Sequence, residues 1–158
     1  MLMIPLQLIA QQGQNPKPCY AQPAYRQFDF WLGEWDVTSK QGQPLGQSRV
    51  ERILDGCVIF ENWYSAQGAY AGKSFNYYDR QSGKWHQKWI DNRGAPIEFT
   101  GVYDPEEMAL RYTAVTLGPG GKEILNKLTF YRINKDYVHQ VWEQSDDGGR
   151  NWQTLFDG

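Results

Sequence analysis

Turn residues cut this chain into about ten short β-type runs, and that pattern constrains the fold more than any other feature. From Trp35 onward the runs are WDVTS, SRVERIL, CVIFENWYS, KSFNYYD, KWHQKWID, APIEFTGVY, MALRYTAVTL, KEILNKLTFYRI, YVHQVWEQS and WQTLF. Between them stand turn segments such as QGQPLG, RQSG, NRG, GPGG and DDGGRN. Connections this short suit antiparallel hairpins, and the runs are rich in β-branched and aromatic residues. No segment of helical length shows a clear 3.6-residue period; Lys122–Ile133 is the one run that also reads as a helix. A meander of ten strands must deal with its two edges, and closing into a barrel removes them. The expected fold class is therefore all-β, a single up-and-down antiparallel β-barrel of about ten strands, with a two-sheet sandwich as the alternative. The aromatic stretch RQFDFWLG, residues 26–33, reads as a 3₁₀ or short helical plug before the first strand.

Strand alternation assigns faces. In run 84–91, Trp85, Gln87, Trp89 and Asp91 share one face and Lys84, His86, Lys88 and Ile90 the other, so the Trp face is expected inside. In run 137–145, Val138, Gln140, Trp142 and Gln144 lie opposite His139, Val141 and Glu143. Further along, the inward sets are Ile97, Phe99 and Tyr103, then Met108, Leu110 and Tyr112, then Ile124, Asn126, Leu128 and Phe130. Runs 57–64 and 74–79 stay ambiguous: Glu61 and Trp63 share a face opposite Asn62 and Tyr64, and Asn76 and Tyr78 a face opposite Tyr77 and Asp79. Aromatic walls with a few amides match the make-up of ligand pockets. The expected ligand-lining residues are Trp63, Trp85, Gln87, Trp89, Tyr112, Asn126, Gln140 and Trp142.

Seven Trp, ten Tyr and seven Phe in 158 residues argue against disorder and for one packed domain. A net charge of −2 carries no footprint for nucleic acid, and no run of 18 apolar residues marks an integral membrane span. Nothing in the sequence sets an oligomeric state. Residues 1–10, MLMIPLQLIA, are apolar and are followed by a Gln/Pro/Asn/Gly-rich stretch, in the manner of a secretory leader, although no Lys or Arg precedes Lys17. Residues 1–25 are thus read as a leader or disordered arm and 26–158 as the barrel domain, with export to the periplasm or exterior expected and a cytoplasmic location the alternative. The cysteines are Cys19 and Cys57, an even count that in an exported protein invites a disulfide; two separate thiols are the alternative. With two His in the chain and no C-x-x-C, no structural zinc site is expected.

FDFWLGEWDV, residues 28–37, places Gly33 two residues before Trp35 at the start of the first strand. Together with ERILDGCVIFENW, NYYD, KWHQKWID and QVWEQSDDGGRNW it resembles an uncharacterised family of bacterial, exported, lipocalin-like (calycin) proteins, over most of residues 26–158. The resemblance implies a calycin barrel in which Trp35 closes the narrow end and Gly33 permits close backbone packing. It implies export as well; it implies no chemistry. SDDGGRNW, residues 145–152, matches the Asp-box of sialidase propellers, but one copy makes no propeller. It reads as a hairpin turn in which Asp147 binds backbone, Gly149 supplies a positive φ and Trp152 packs beneath. No cofactor is expected. Nitrobindin-like barrels hold haem through a His near the C-terminal end, but alternation turns His139 outward.

The expected function is non-catalytic binding of a small, largely apolar molecule inside the barrel. One alternative is a cofactor-independent isomerase, cyclase or lyase whose general acid or base is a buried carboxylate, Glu61 or Asp91. A structural or interaction protein with a filled core is the other.

Overall fold

A computed structural model describes residues 18–158. Ten strands form one sheet in sequence order, every neighbour antiparallel. They are β1 (Gly33–Thr38), β2 (Pro44–Ile53), β3 (Val58–Ser65), β4 (Ala71–Asp79), β5 (Lys84–Asp91), β6 (Pro96–Asp104), β7 (Ala109–Leu117), β8 (Glu123–Arg132), β9 (Val138–Ser145) and β10 (Gln153–Asp157). The stretch that also read as a helix is therefore strand β8. Met108, expected on an inner face, instead sits in the β6–β7 turn with φ 48° and an exposed side chain.

The sheet curls into a half-barrel and does not close: β1 and β10 end the strand order as unpaired edges. This corrects the expectation of a closed ring. The physical reason lies in the edges themselves. β10 has five residues and β1 six, and their registers slip between Thr154 and Phe156 and between Val37 and Thr38. Short, irregular edge strands give neither a straight ladder to pair with nor a flat template for aggregation. Across the seam Lys40 pairs with Asp157 at 2.7 Å. A groove of about 380 Å³ follows the seam, with Trp35, Lys40, His139 and Asp157 among its walls.

Three 3₁₀ turns precede the sheet, at Cys19–Ala21, Pro23–Arg26 and Asp29–Trp31. They plug one end. Phe28, 0% exposed, stacks on Trp31 (centroids 4.9 Å apart) and meets Phe130, Trp85 and Tyr112 edge-on. Edge-to-face and offset-stacked pairs of this kind add to the area they bury. The plug is also tied by polar contacts. Trp85 Nε1 donates to Gln27 Oε1 at 2.9 Å, Trp35 Nε1 donates to the Trp31 carbonyl at 2.9 Å, and Asp29 pairs with both Arg26 and Arg52.

A Cys19–Cys57 disulfide, with Cα atoms 4.8 Å apart, fastens the start of this segment to the β2–β3 turn. Residues 18–25, assigned from sequence to the arm, are thus held against the sheet, with Tyr25 buried beside Tyr78. The expected leader at residues 1–10 lies outside the described residues.

Candidate functional site

In a meander that starts at the plug, alternate hairpins fall at the opposite end. Loops 39–43, 66–70, 92–95, 118–122 and 146–152 therefore rim the unplugged end, and the inner face beneath them encloses a pocket of about 270 Å³. That volume sits near the lower bound of small-ligand sites. Its aromatic walls are Trp63, Tyr70, Trp89, Phe99, Trp142 and Phe156, with Leu45 and Leu128 between them. Two glycines make the indoles fit. Gly72 faces Asp91 in the register beside Trp89, and Gly46 faces Ser65 beside Trp63; a Cβ on either glycine would collide with the neighbouring indole ring. The absent side chains let these rings lie along the sheet instead of standing into the cavity.

The polar groups of the pocket are Glu61, Ser65, Gln67, Gln87 and Gln140. Glu61 is the unusual one. It is 5% exposed, and its two oxygens accept from Ser48 Oγ at 2.9 Å and Ser74 Oγ at 2.8 Å. The donor directions are fixed by Asn76. Its Nδ2 faces the Ile59 carbonyl at 3.2 Å and Ser74 Oγ at 2.9 Å, while its Oδ1 accepts from Gln87 Nε2 at 2.8 Å and Tyr112 OH at 3.3 Å. A carbonyl only accepts, so Nδ2 must be the donor on that side. Ser74 then accepts from Asn76 and has its own proton left for Glu61. The network is fully satisfied and runs toward the carboxyl.

Burial pushes the Glu61 carboxyl up to about 7, against the lowering effect of the Ser74 and Ser48 hydrogen bonds. Burial also drives the Tyr112 hydroxyl well above its ordinary range. Among the described residues Glu61 has no ion-pair partner, and no Lys, Arg or His lines the pocket.

The residues singled out from sequence divide three ways. Trp63, Gln87, Trp89, Gln140 and Trp142 line the pocket. Trp85 and Tyr112 are instead packed around Phe28 at the plugged end, each 1% exposed. Asn126 lies behind the wall: its Oδ1 accepts from Trp142 Nε1 at 3.0 Å and Gln144 Nε2 at 2.8 Å, which sets the plane of the Trp142 indole.

The two carboxylates part company. Glu61 faces the pocket, whereas Asp91 caps the β5–β6 turn, accepting from Arg93 N at 2.9 Å, Ala95 N at 3.1 Å and Tyr70 OH at 3.3 Å. Those bonds, the Ala95 amide first, hold its carboxyl below the usual range. Asp91 is thus a turn residue in this structure, and the general acid–base alternative rests on Glu61 alone. Tyr70, Phe99 and Phe156 also reach the pocket. Phe99 lies on the inward face that alternation assigns it, outside the expected ligand-lining set, and Phe156 stands opposite Trp142 past the β10 bulge.

The other motif residues have structural places. Gly33 adopts φ 138°, next to the Trp35 indole. Asp147 accepts from the backbone amides of Asn151 and Arg150, both at 2.9 Å, and these and the Asn151 side chain hold it at about 2. Gly149 has φ 87°, and Trp152 Nε1 donates to its carbonyl at 3.1 Å. His139 faces outward, bound to Asp157 at 2.6 Å and stacked on Tyr131. Among the described residues no three His, Cys, Asp or Glu side chains gather as a metal site. Compared with known proteins, the chain matches no family model and no curated sequence.

Proposed function

We propose that this protein binds a small, largely apolar molecule in the unplugged half of the barrel, as a lipocalin-like carrier or sensor without chemistry of its own. The observation that carries the reading is the contrast inside one sheet: aromatic rings fill one end completely and leave a walled cavity at the other. A core built only for stability has no use for a void lined by Trp63, Trp89 and Trp142, since interiors pack to crystal density. Gln87 on β5 and Gln140 on β9 offer hydrogen-bonding handles in its wall. The disulfide supports export, because such bonds persist in oxidising compartments.

The test is titration with N-phenyl-1-naphthylamine, a neutral fluorophore that brightens in dry aromatic sites. Saturable one-to-one binding is expected, with a more than tenfold loss in Gln140→Trp, which fills the cavity from β9. Emission that never saturates, or that the substitution leaves unchanged, counts against the reading.

A second reading has one specific observation behind it. Glu61 combines burial, pocket exposure and a pKa near 7, the profile of a general acid or base poised at neutral pH. Conversion of a bound carbon acid by the protein, absent in Glu61→Gln, would favour it over simple binding.

A further inference from the structure

We infer that the ligand is an organic monocation, an apolar body carrying one amine or quaternary ammonium group, seated with its charge between the aromatic walls and Glu61. The inference rests on the binding reading above and goes beyond it by assigning the charge of the ligand. Three features of the pocket point the same way.

The first is the carboxyl's partners. An ionised carboxylate offers about four acceptor positions. Ser48 and Ser74 occupy one on each oxygen, and no cation of the chain takes the rest among the described residues. A carboxylate taken out of water without a counter-charge is costly, and proteins normally pair such a group. Here the side open to solvent is the pocket. The surrounding groups do not supply the missing charge: β2 presents Ser48 and Val50 to Glu61, and β4 presents Ser74 and Asn76. Arg52, on the same strand as Ser48, is committed to Asp29 at the plug.

The second is the wall. Six aromatic residues, Trp63, Tyr70, Trp89, Phe99, Trp142 and Phe156, surround the space in front of this carboxyl. Ring faces carry negative potential and attract ammonium groups, and Trp does so most strongly. Asn126 holds the Trp142 ring in place by its indole N–H. The glycine cut-outs at Gly46 and Gly72 hold the rings of Trp63 and Trp89 along the sheet.

The third is exclusion. A fatty acid, phosphate ester or other anion needs a donor cation, yet every non-acidic polar group in the pocket is a neutral hydroxyl or amide. An anion would face Glu61 across a confined, aromatic-walled space where like charges repel.

The experiment uses two isosteres that differ in one atom: benzyltrimethylammonium and neopentylbenzene, whose quaternary carbon replaces the nitrogen. Binding of each to the full chain is read by quenching of Trp fluorescence at pH 8. The cation is expected to bind at least tenfold more tightly than the hydrocarbon, and Glu61→Gln is expected to remove that preference. Far-UV circular dichroism checks that the variant is folded. In the wild-type protein the same preference is expected to shrink at pH 5, a readout that needs no variant. Equal or tighter binding of the hydrocarbon at pH 8 overturns the charge assignment and leaves the binding reading standing. If neither compound binds, both fall. If both bind and the preference survives in Glu61→Gln, the rings alone select the cation and the role of Glu61 is overturned.

Discussion

The two ends of this half-barrel are built from the same kind of residue and do opposite things. At the plugged end Phe28, Trp31, Trp85, Tyr112 and Phe130 interlock, each 4% exposed or less. At the other end Trp63, Trp89 and Trp142, on the same inner faces of β3, β5 and β9, stand around open space. The difference is not in the strands but in what is inserted between them. Three 3₁₀ turns deliver Phe28 and Trp31 into one end; among the described residues nothing equivalent enters the other. Aromatic residues on an inward face thus mean core or cavity according to whether a second segment fills the gap. Between the two ends lies the Glu61–Ser74–Asn76–Gln87–Tyr112 network, a polar belt that separates filled from empty.

That contrast can be broken most strongly at the plug. Phe28→Ala removes a ring with contacts to five others, and a loss toward the upper end of the ~3–5 kcal/mol range for buried aromatics is expected in denaturant unfolding. Trp63→Ala, on a half-buried ring at the open end, is expected to cost about half as much or less despite the larger side chain. Equal losses at the two sites would mean that the open end is as tightly packed as the plugged one.

Next in size is the tether. Opening the Cys19–Cys57 bond, by reduction or by Cys19→Ser with Cys57→Ser, releases a loop of sequence separation 38, worth about 4 kcal/mol on the chain-entropy account. The effect is expected to add to destabilisation at the plug and to leave pocket affinity nearly unchanged in the protein that remains folded. Loss of binding ahead of unfolding would show that the plug shapes the pocket as well as closing the far end.

The smallest effect comes from the belt, and its sign depends on pH. Glu61 has a folded pKa of about 7 against 4.5, so between these values the folded chain holds more proton than the unfolded one. Its contribution to stability is most favourable below 4.5, declines as pH rises to about 7 and is flat above. Glu61→Gln lacks this decline, since an amide does not titrate, and it can accept from one of Ser48 and Ser74 while donating to the other. It is expected to be more stable than the parent at pH 8 by up to about 3 kcal/mol, with the gap narrowing toward pH 4.5. A pH-independent difference would place Glu61 in wetter surroundings than the structure describes.

Much of this was legible along the chain. Period-two alternation placed Trp85, Gln87 and Trp89 on one inner face and Val138, Gln140 and Trp142 on another, and the structure has them there. Where it failed, the reason is specific. Runs 57–64 and 74–79 carry large or polar residues on both faces, because outward Phe60 packs on Phe75 under Lys73 and outward Tyr77 stacks on His86. The inward turn of Glu61 and Asn76 could not be separated from its opposite by pattern alone. Asp91 shares the phase of Trp89 but ends its strand, so local turn amides claim it.

The sequence by itself determined the all-β meander, the aromatic plug before the first strand and the face of most strands, and it offered Cys19 and Cys57 as a possible pair that the structure shows bonded. All of these follow from short-range signals: alternation, turn residues and a cysteine count. The tertiary structure decided which indoles are core and which are wall, that the ring stays open between β1 and β10, and that one carboxyl stands alone in an aromatic pocket. Alternation assigns a side chain to a face but not to a depth. Depth is set by residues far away in the chain, as when Phe28 wedges between Trp85 and Phe130, and only folding brings them together.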